Sequence, residues 1–311
     1  MFFRSQTILS FLGSAIKQID RLDAEILLSF VLQKPREWVV SHPEFSLPGL
    51  ANFKIQRLFR LRAKGVPIAY LTGHKEFFGL DFIVNKHTLV PRPDTEILVE
   101  AVLNSPTIRF IPIKASGGSQ RGSEPNDSSL ILIDIGTGSG CIPISIQKTL
   151  QQKNPSLSLE TFATDISKNA LKIAKRNSQR HKTDITFLQG NLLEPILKNQ
   201  KLLSLISDSQ IIITANLPYL TQKQFEQERS IQHEPHSALV ADDQGLALYK
   251  ILLGQIQFLV SNFKSPITYY FEIDPSQTIP LSHYIQTIFP HAKIEIIKDL
   301  CGRNRVIQWS I

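Results

Sequence analysis

Cysteine, methionine and tryptophan are scarce in this sequence: Cys141 and Cys301 are the only cysteines among 311 residues, beside one methionine and two tryptophans. Two widely separated cysteines exclude a disulfide framework and a cysteine-based zinc site, and they favour a reducing compartment. No run approaches the roughly 18 apolar residues of a membrane-spanning helix. Because 42% of the residues are apolar and 20% are charged, the composition also excludes a disordered chain. The length predicts two folded domains.

Acidic residues are outnumbered, with 27 Asp and Glu against 34 Lys and Arg, which gives a formal charge of +7. This excess favours an acidic or phosphate-rich partner without identifying one. The first nineteen residues carry Arg4 and Lys17 and no acid. Both an organellar transit peptide and the start of an amphipathic helix have such a composition, and both interpretations stay open.

The N-terminal part has the periodicity of helices. Apolar residues recur at steps of three and four from Ile8 to Leu32, and a second helical pattern carries Arg57, Arg60, Arg62 and Lys64 on one face. The alternating stretch that follows contains Gly79 and predicts a hairpin. We therefore predict a small helical domain over 1–75, a linking β-hairpin over 76–92 and a larger domain over 93–311.

The larger domain alternates apolar strands with helical patterns, which predicts βαβ units and a mostly parallel sheet. Its last two apolar runs, KIEIIKD and RVIQWSI, are close enough in sequence to form an antiparallel hairpin at the edge of that sheet. The stretch IKASGGSQRGSEPNDSS, rich in glycine and serine, predicts a loop. The expected fold class is α/β with an antiparallel edge.

A glycine-rich turn follows the first strand of this domain and precedes a helix. Alternate glycines allow a tight turn and let backbone N–H groups approach a ligand at the helix N-terminus. A tight strand-to-helix connection without a ligand remains an alternative. Cys141 stands where a dinucleotide fingerprint needs its third glycine or alanine, which argues against nicotinamide or flavin. The turn comprises Gly136, Thr137, Gly138, Ser139 and Gly140.

The next strand ends at Asp165, where a carboxylate can accept hydrogen bonds from two ribose hydroxyls. An N-cap of the following helix is the alternative role for this acid. Asn191 and Leu192 follow the third strand, so they are expected beside an adenine, with Asn191 bonding its amino group and Leu192 packing on the ring. These positions together suit a nucleoside that carries an amino-acid tail.

The tetrapeptide Asn216-Leu217-Pro218-Tyr219 ends the strand IIITA, at the edge where open α/β sheets place their chemistry. The Asn216 side-chain oxygen and the Leu217 carbonyl can each accept one N–H of a planar NH2 group, while Pro218 stiffens the turn and Tyr219 offers a ring for stacking. Taken alone, the tetrapeptide also fits an ordinary turn after a buried strand.

The ordered set DIGTGSG, TDIS, FLQGN and NLPY resembles the class I S-adenosylmethionine-dependent methyltransferases that methylate amino groups. Three further stretches, GVPIAYLTGHKEFFGLDFIVNKHTLVPRPDTEILVE, EPHSALVADDQGLALYKILL and IKDLCGRNRVI, resemble the PrmC/HemK family, the peptide chain release factor glutamine N5-methyltransferases. The likeness runs from about Arg21 to Val306. It implies a Rossmann-like methyltransferase domain behind an N-terminal helical domain that docks the substrate.

The resemblance also implies a reaction, partners and roles for residues. The cofactor would be S-adenosyl-L-methionine, the partner a class I release factor with a Gly-Gly-Gln loop, and the location the cytoplasm. Neither a membrane, nor a metal, nor direct contact with nucleic acid is implied. Gly136, Thr137, Gly138, Ser139, Gly140, Asp165, Leu192 and Asn216 would bind the cofactor. Asn216, Leu217, Pro218 and Tyr219 would hold the glutamine amide, with Asn216, Pro218 and Tyr219 as catalytic residues.

Two positions depart from the family pattern. Leu217 stands where the family usually has proline, and Asn191 replaces a common acid. The form N-L-P-Y also occurs in ribosomal RNA adenine N6-dimethyltransferases, so an amino-methyltransferase acting on adenine in nucleic acid is an alternative, with the charge of +7 in its favour. A catalytically silent protein that only binds a release factor is the alternative from another class.

Overall fold

The computed structural model describes residues 6–109, 130–206, 209–263 and 265–311. The predicted loop IKASGGSQRGSEPNDSS and the first five residues lie outside these ranges. Helices fill the first part of the chain. They are α1 (Ile8–Ala15), α2 (Arg21–Leu32), α3 (Arg36–Ser41), α4 (Gly49–Ala63) and α5 (Ile68–Thr72).

Helices α1 to α4 pack around an apolar core of their own, which contains Phe11, Leu28 and Ile55. The Thr7 side chain caps α1 and the Asp20 side chain caps α2, each by accepting a backbone N–H. Arg62 of α4 pairs with Asp23 of α2 at 2.6 Å, so this arginine faces α2 and holds two helices together. The helical character predicted for the N-terminal part is therefore present.

A hairpin follows, formed by β1 (His74–Phe77) and β2 (Leu80–Ile83). Phe78 and Gly79 at its turn both have positive φ, as a tight two-residue hairpin turn requires. The prediction of a hairpin over 76–92 was wrong in extent, because strand pairing ends at Ile83. Beyond it the chain turns, with Thr88 N–H donating to the Asn85 carbonyl, and residues 84–92 run as an irregular segment.

The second part of the chain is a seven-stranded sheet in the order β5-β4-β3-β6-β7-β9-β8. Strands β3 to β7 are parallel, and β9 pairs antiparallel with both β7 and β8. The predicted α/β sheet with an antiparallel edge is confirmed. The strands are β3 (Leu130–Ile135), β4 (Leu159–Asp165), β5 (Thr186–Gln189), β6 (Gln210–Ala215), β7 (Ile267–Glu272), β8 (Lys293–Lys298) and β9 (Asn304–Ser310).

Helices cover both faces of this sheet. A turn at Pro93–Thr95 leads into the first of them. They are α6 (Glu96–Leu103), α7 (Pro106–Arg109), α8 (Cys141–Lys153), α9 (Lys168–His181), α10 (Glu194–Leu197), α11 (Gln200–Ile206), α12 (Gln222–Gln227), α13 (Ala247–Asn262) and α14 (Thr278–Ile288). In the part of the chain that the model describes, none of the helices has the length and apolar content to cross a membrane.

Strand β3 shows why the sheet needs a layer of helices on each of its two faces. Ile131 and Ile133 pack in one core and Leu130 and Leu132 in the other, so every residue of this strand is buried. Continuous apolar strands are typical of parallel sheets that are covered on both faces. The carboxyl ends of β3, β4 and β6 consequently meet at one edge, which is the edge that carries the candidate site.

Candidate active site

A cavity of about 700 Å³ opens at the carboxyl edge of the parallel strands. Its walls come from the turns after β3, β4, β5 and β6, from segments 86–92 and 235–242, and from the first turns of α13. Most of the residues predicted from the sequence line it. They are Gly136, Thr137, Gly138, Ser139, Asp165, Asn191, Leu192, Asn216, Leu217 and Pro218.

The glycine turn has the backbone that its sequence predicts. Gly136, Gly138 and Gly140 have φ values of +71°, +55° and +80°, a region that residues with a Cβ rarely adopt. A Cβ on Gly136 would lie 3.1 Å from Leu217 Cδ2. The glycine turn and the Asn216-Leu217-Pro218-Tyr219 turn are therefore in contact, although they are far apart in sequence.

An acidic side chain lies beneath the glycine turn. Asp134 is fully buried, and its Oδ1 accepts a hydrogen bond from the Thr214 hydroxyl at 2.7 Å. Burial raises the pKa of Asp134 to about 7. The Thr137 and Thr214 side chains oppose that rise. Thr137 lies on the cavity wall beside this buried carboxyl group, and a negative charge there suits a ligand that brings positive charge, as the amino group and sulfonium of S-adenosylmethionine do.

Asp165 at the end of β4 connects the glycine turn to the next helix. Its Oδ2 accepts from Gly138 N–H and its Oδ1 from Ser167 N–H, each at 2.8 Å. Burial raises the pKa of Asp165, and these two N–H groups oppose the rise. The N-cap of α9 is Ser167, whose hydroxyl accepts from Ala170 N–H. Asp165 is thus not the N-cap, and its carboxylate lies on the cavity wall.

Apolar side chains form the part of the cavity next to Asp165. Leu192 is buried with φ +54°, and Asn191 and Ile166 lie beside it on the wall. Ile166 was not predicted at the site, although an isoleucine directly after the acid at a strand end is an available signal. Its side chain is 66% exposed, which is unusual for isoleucine and suits a flat apolar ligand.

Asn216 and Leu217 present two hydrogen-bond acceptors at the end of β6. The Asn216 NH2 group donates to Glu272 Oε2 at 2.8 Å and to the Thr95 hydroxyl at 3.2 Å. Leu217 N–H donates to the Tyr249 hydroxyl at 3.4 Å. Within the described ranges no donor reaches Asn216 Oδ1 or the Leu217 carbonyl oxygen. Both residues line the cavity, so both acceptors remain for a ligand.

Gly140 and Tyr219 were also predicted at the site, and neither lines the cavity. Gly140 is the N-cap of α8, and a Cβ there would lie 3.3 Å from Ala174 Cβ, so this glycine serves the packing of α8 against α9. Tyr219 is half-buried, and burial raises its pKa, as do the charges of Glu272 and Asp274. Tyr219 is therefore next to the lining residue Pro218 without lining the cavity itself.

Glu234, which begins the stretch EPHSALVADDQGLALYKILL, was not anticipated at the site. Its buried carboxylate accepts from Val90 N–H at 2.9 Å and forms an ion pair with Arg92, so it ties segment 86–92 against the cavity. His233 contacts the Lys64 carbonyl and His236 contacts Gln222. The described residues contain no cluster of three or more metal-ligating side chains.

Gly245 supports the Asn216-Leu217-Pro218-Tyr219 turn from behind. Its φ is +85°, and a Cβ there would lie 2.1 Å from the Tyr219 carbonyl oxygen. We expect Gly245→Ala to lower the free energy of unfolding by about 2–4 kcal/mol, because both the backbone conformation and the contact forbid a side chain. Chemical denaturation monitored by circular dichroism measures this change.

Gly254 offers a matched control for that substitution. It lies in the middle of α13, and a Cβ there would meet no atom within 4 Å. Gly254→Ala should leave stability unchanged or raise it by about 0.5–1 kcal/mol, since alanine is the better helix former. Equal stabilities of the two variants would show that Gly245 does not constrain the turn.

Comparison with known proteins agrees with this geometry. The family model of the PrmC N-terminal domain matches residues 6–73, and that of the methyltransferase small domain matches residues 125–208. The catalytic domain of hMettl16, solved in complex with the MAT2A 3′UTR hairpin 1, has a TM-score of 0.52 at 14% identity, over 85% of this chain and 81% of that one. At that identity the likeness concerns the fold. The sheet order and the cavity at its carboxyl edge are those of a class I S-adenosylmethionine-dependent methyltransferase.

Curated relatives narrow the class to a family. The release factor glutamine methyltransferase of Staphylococcus aureus is 31% identical over 94% of both chains, and that of Bacillus subtilis is 30% identical over 91% of this chain and 89% of its own. This chain belongs to the release factor glutamine methyltransferase family. It also matches the bifunctional methyltransferase of Rickettsia felis at 32% identity, where it spans only about half (54%) of that relative's length.

Proposed function

We propose that this protein transfers a methyl group from S-adenosylmethionine to the side-chain amide nitrogen, N5, of the glutamine in the Gly-Gly-Gln loop of a release factor. The observation that carries the proposal is the pair of unsatisfied acceptors, Asn216 Oδ1 and the Leu217 carbonyl, on the wall of a cavity that the glycine turn also lines. A primary amide has one NH2 group with two donors, which matches two acceptors.

The residues of the chain act chiefly by positioning. When bound, S-adenosylmethionine supplies an electrophilic methyl carbon, to which the amide nitrogen bonds as the carbon–sulfur bond breaks, and the proton leaves the nitrogen for water. Asn216 and Leu217 hold both N–H groups, and this orientation directs the nitrogen at the methyl group. Asp165 and the glycine turn hold the ribose and the amino-acid tail.

A strong base is not required of the site. Tyr219 keeps its proton at neutral pH because burial raises its pKa. The methylated nitrogen is far more acidic than a free amide, so water suffices to take its proton. Pro218 restricts the backbone of Leu217. Leucine in place of the usual proline keeps the acceptor, because the backbone carbonyl and not the side chain accepts the hydrogen bond.

Docking of the release factor is assigned to the N-terminal helices. Three basic side chains in and just after α4 are exposed, namely Arg57, Arg60 and Lys64. Arg62 instead forms an ion pair with Asp23. We expect the double substitution Arg57→Glu with Arg60→Glu to raise the KM for the factor about tenfold at low salt, because complementary charge mainly raises the rate of association between two proteins. Cofactor affinity should stay unchanged. Steady-state kinetics with intact factor measures this change.

Lys153 and Lys172 are matched controls, since they are exposed basic side chains outside α4. Reversing their charge changes the net charge by the same amount and should leave that KM within twofold. If the α4 double variant and this control raise the KM equally, net charge, not a docking face, controls the interaction. If cofactor affinity falls together with factor binding, the docking role fails.

The main test is methyl transfer with labelled S-adenosylmethionine and three acceptors in parallel: an intact release factor, the same factor with its Gly-Gly-Gln glutamine changed to alanine, and ribosomal RNA. We expect label on the intact factor alone. Label on RNA would support the adenine amino-methyltransferase alternative, which the named relatives do not favour. Cofactor binding without any transfer would support the silent binder. We place the reaction in the cytoplasm, where release factors act.

A further inference from the structure

The orientation of the Asn216 amide decides what the site can bind. An amide side chain can present either its oxygen or its NH2 group to a ligand, and the hydrogen-bond partners on the other side select between the two. In this structure the NH2 group donates to Glu272 Oε2 and the Thr95 hydroxyl. Both donors are thereby used, and the oxygen is left for the cavity.

Glu272 is well suited to impose this orientation. It is the last residue of β7, next to β6 in the sheet, and its side chain is 1% exposed. In its ionised form the Glu272 carboxylate has no donor, so above its pKa it can pair only with the NH2 end of Asn216. Burial raises the pKa of Glu272 to about 7, with Asp94 adding to the rise and Thr95, Arg305 and Asn216 opposing it.

Tyr249 of α13 holds the peptide group that follows Asn216. Its buried hydroxyl donates to the Glu272 carbonyl and accepts from Leu217 N–H. This contact fixes the peptide between Asn216 and Leu217, and Pro218 confines Leu217 to extended backbone. The direction of the Leu217 carbonyl follows from these two constraints. Glu272 and Tyr249 thus hold the two acceptors without lining the cavity themselves.

We propose that Glu272 and Tyr249 are positioning residues that set the two acceptors before the substrate arrives, with Glu272 acting on the Asn216 oxygen and Tyr249 on the Leu217 carbonyl. The proposal rests on the proposed function. It deepens that function by accounting for the substrate class: a site with two fixed acceptors binds the NH2 group of glutamine and rejects the carboxylate of glutamate, which has no donor.

The test compares kcat, KM for the factor, and cofactor affinity in Glu272→Leu and Glu272→Gln. Leucine removes the acceptor and frees the amide to turn, so kcat should fall by about 30- to 100-fold. Both KM and the dissociation constant of S-adenosylhomocysteine should stay within about threefold. Glutamine keeps an acceptor oxygen but can also donate, so its kcat should lie between those of leucine and wild type. Glu295→Ala, at an exposed position of the same sheet, should behave as wild type.

Three outcomes would overturn the assignment to Glu272. These are a wild-type kcat in Glu272→Leu, a parallel loss of cofactor binding and activity, and no recovery with glutamine. If Glu272→Leu does not fold, Thr95→Val is the substitute, because it removes the other acceptor of the Asn216 NH2 group. Its kcat should fall by about three- to tenfold. A wild-type kcat in Thr95→Val would likewise overturn the proposal that fixing the Asn216 amide matters for the reaction. A wild-type enzyme that fails to label the factor would instead remove the proposed function, and this proposal with it.

Tyr249→Phe tests the second half, since it deletes one oxygen from the core. We expect kcat to fall by about three- to tenfold with unchanged cofactor affinity. A Tyr249→Phe enzyme with wild-type kcat would limit the proposal to Glu272.

Discussion

Replacing Asn216 with alanine should lower kcat for methyl transfer about a thousandfold. The substitution removes one of the two acceptors for the substrate NH2 group, and it also leaves Glu272 buried without its amide partner. Cofactor affinity should change far less, by about threefold, because the glycine turn and Asp165 lie on other strands. Single-turnover kinetics with labelled cofactor, beside calorimetric binding of S-adenosylhomocysteine, separates the two effects.

Asn262→Ala supplies the control for this prediction, because Asn262 is an exposed asparagine at the end of α13. It should have wild-type kcat. Asn216→Asp gives a sharper contrast: its carboxylate would face Glu272 at close range, and two like charges cannot both stay ionised there. That variant should also lose most of its activity. A kcat within tenfold of wild type in Asn216→Ala would contradict the role of this side chain.

Asp165→Ala should weaken S-adenosylmethionine binding by about 100- to 1000-fold. Two losses combine in this variant. The ribose hydroxyls lose their acceptor, and Gly138 N–H and Ser167 N–H lose the carboxylate that holds the glycine turn beside β4. Hydrogen bonds to a charged group contribute roughly 1.5–3 kcal/mol each, which corresponds to about tenfold or more per bond. Calorimetric titration with cofactor measures the change.

Asp184→Ala is the corresponding control, since Asp184 is an exposed aspartate outside the cavity. It should bind the cofactor as wild type does. Asp165→Asn keeps one acceptor oxygen, so its affinity should lie between wild type and Asp165→Ala. If Asp165→Ala bound the cofactor with wild-type affinity, the carboxylate would serve only to connect the glycine turn to α9.

The sequence predicted the parts of the site that depend on local order. A glycine turn between an apolar strand and a helix, an acid at the end of the next strand and Asn216 at the end of another are visible because each signal lies within a few residues. The alternation of strands and helices then places all three ends at one edge of a parallel sheet. The structure confirms that sheet and brings these residues around one cavity.

The hairpin and Tyr219 show where local signals are insufficient. Alternating residues continue past Ile83, but pairing ends there, and a turn at Asn85 begins a segment that Glu234 holds from far along the chain. Tyr219 belongs to the recognised tetrapeptide, yet it is half-buried and is not among the residues that line the cavity. Neither outcome follows from the residues nearby in sequence.

Tertiary structure alone decided which side chains support the acceptors. Thr95 and Glu272 both contact Asn216, from which they lie 121 and 56 residues away in sequence. Tyr249 contacts Leu217 from 32 residues away. They meet because β6 and β7 are neighbours in the sheet and α13 packs against both. Strand order and helix packing depend on the burial of the whole apolar core, a property of the complete chain, so no short stretch of sequence encodes these contacts.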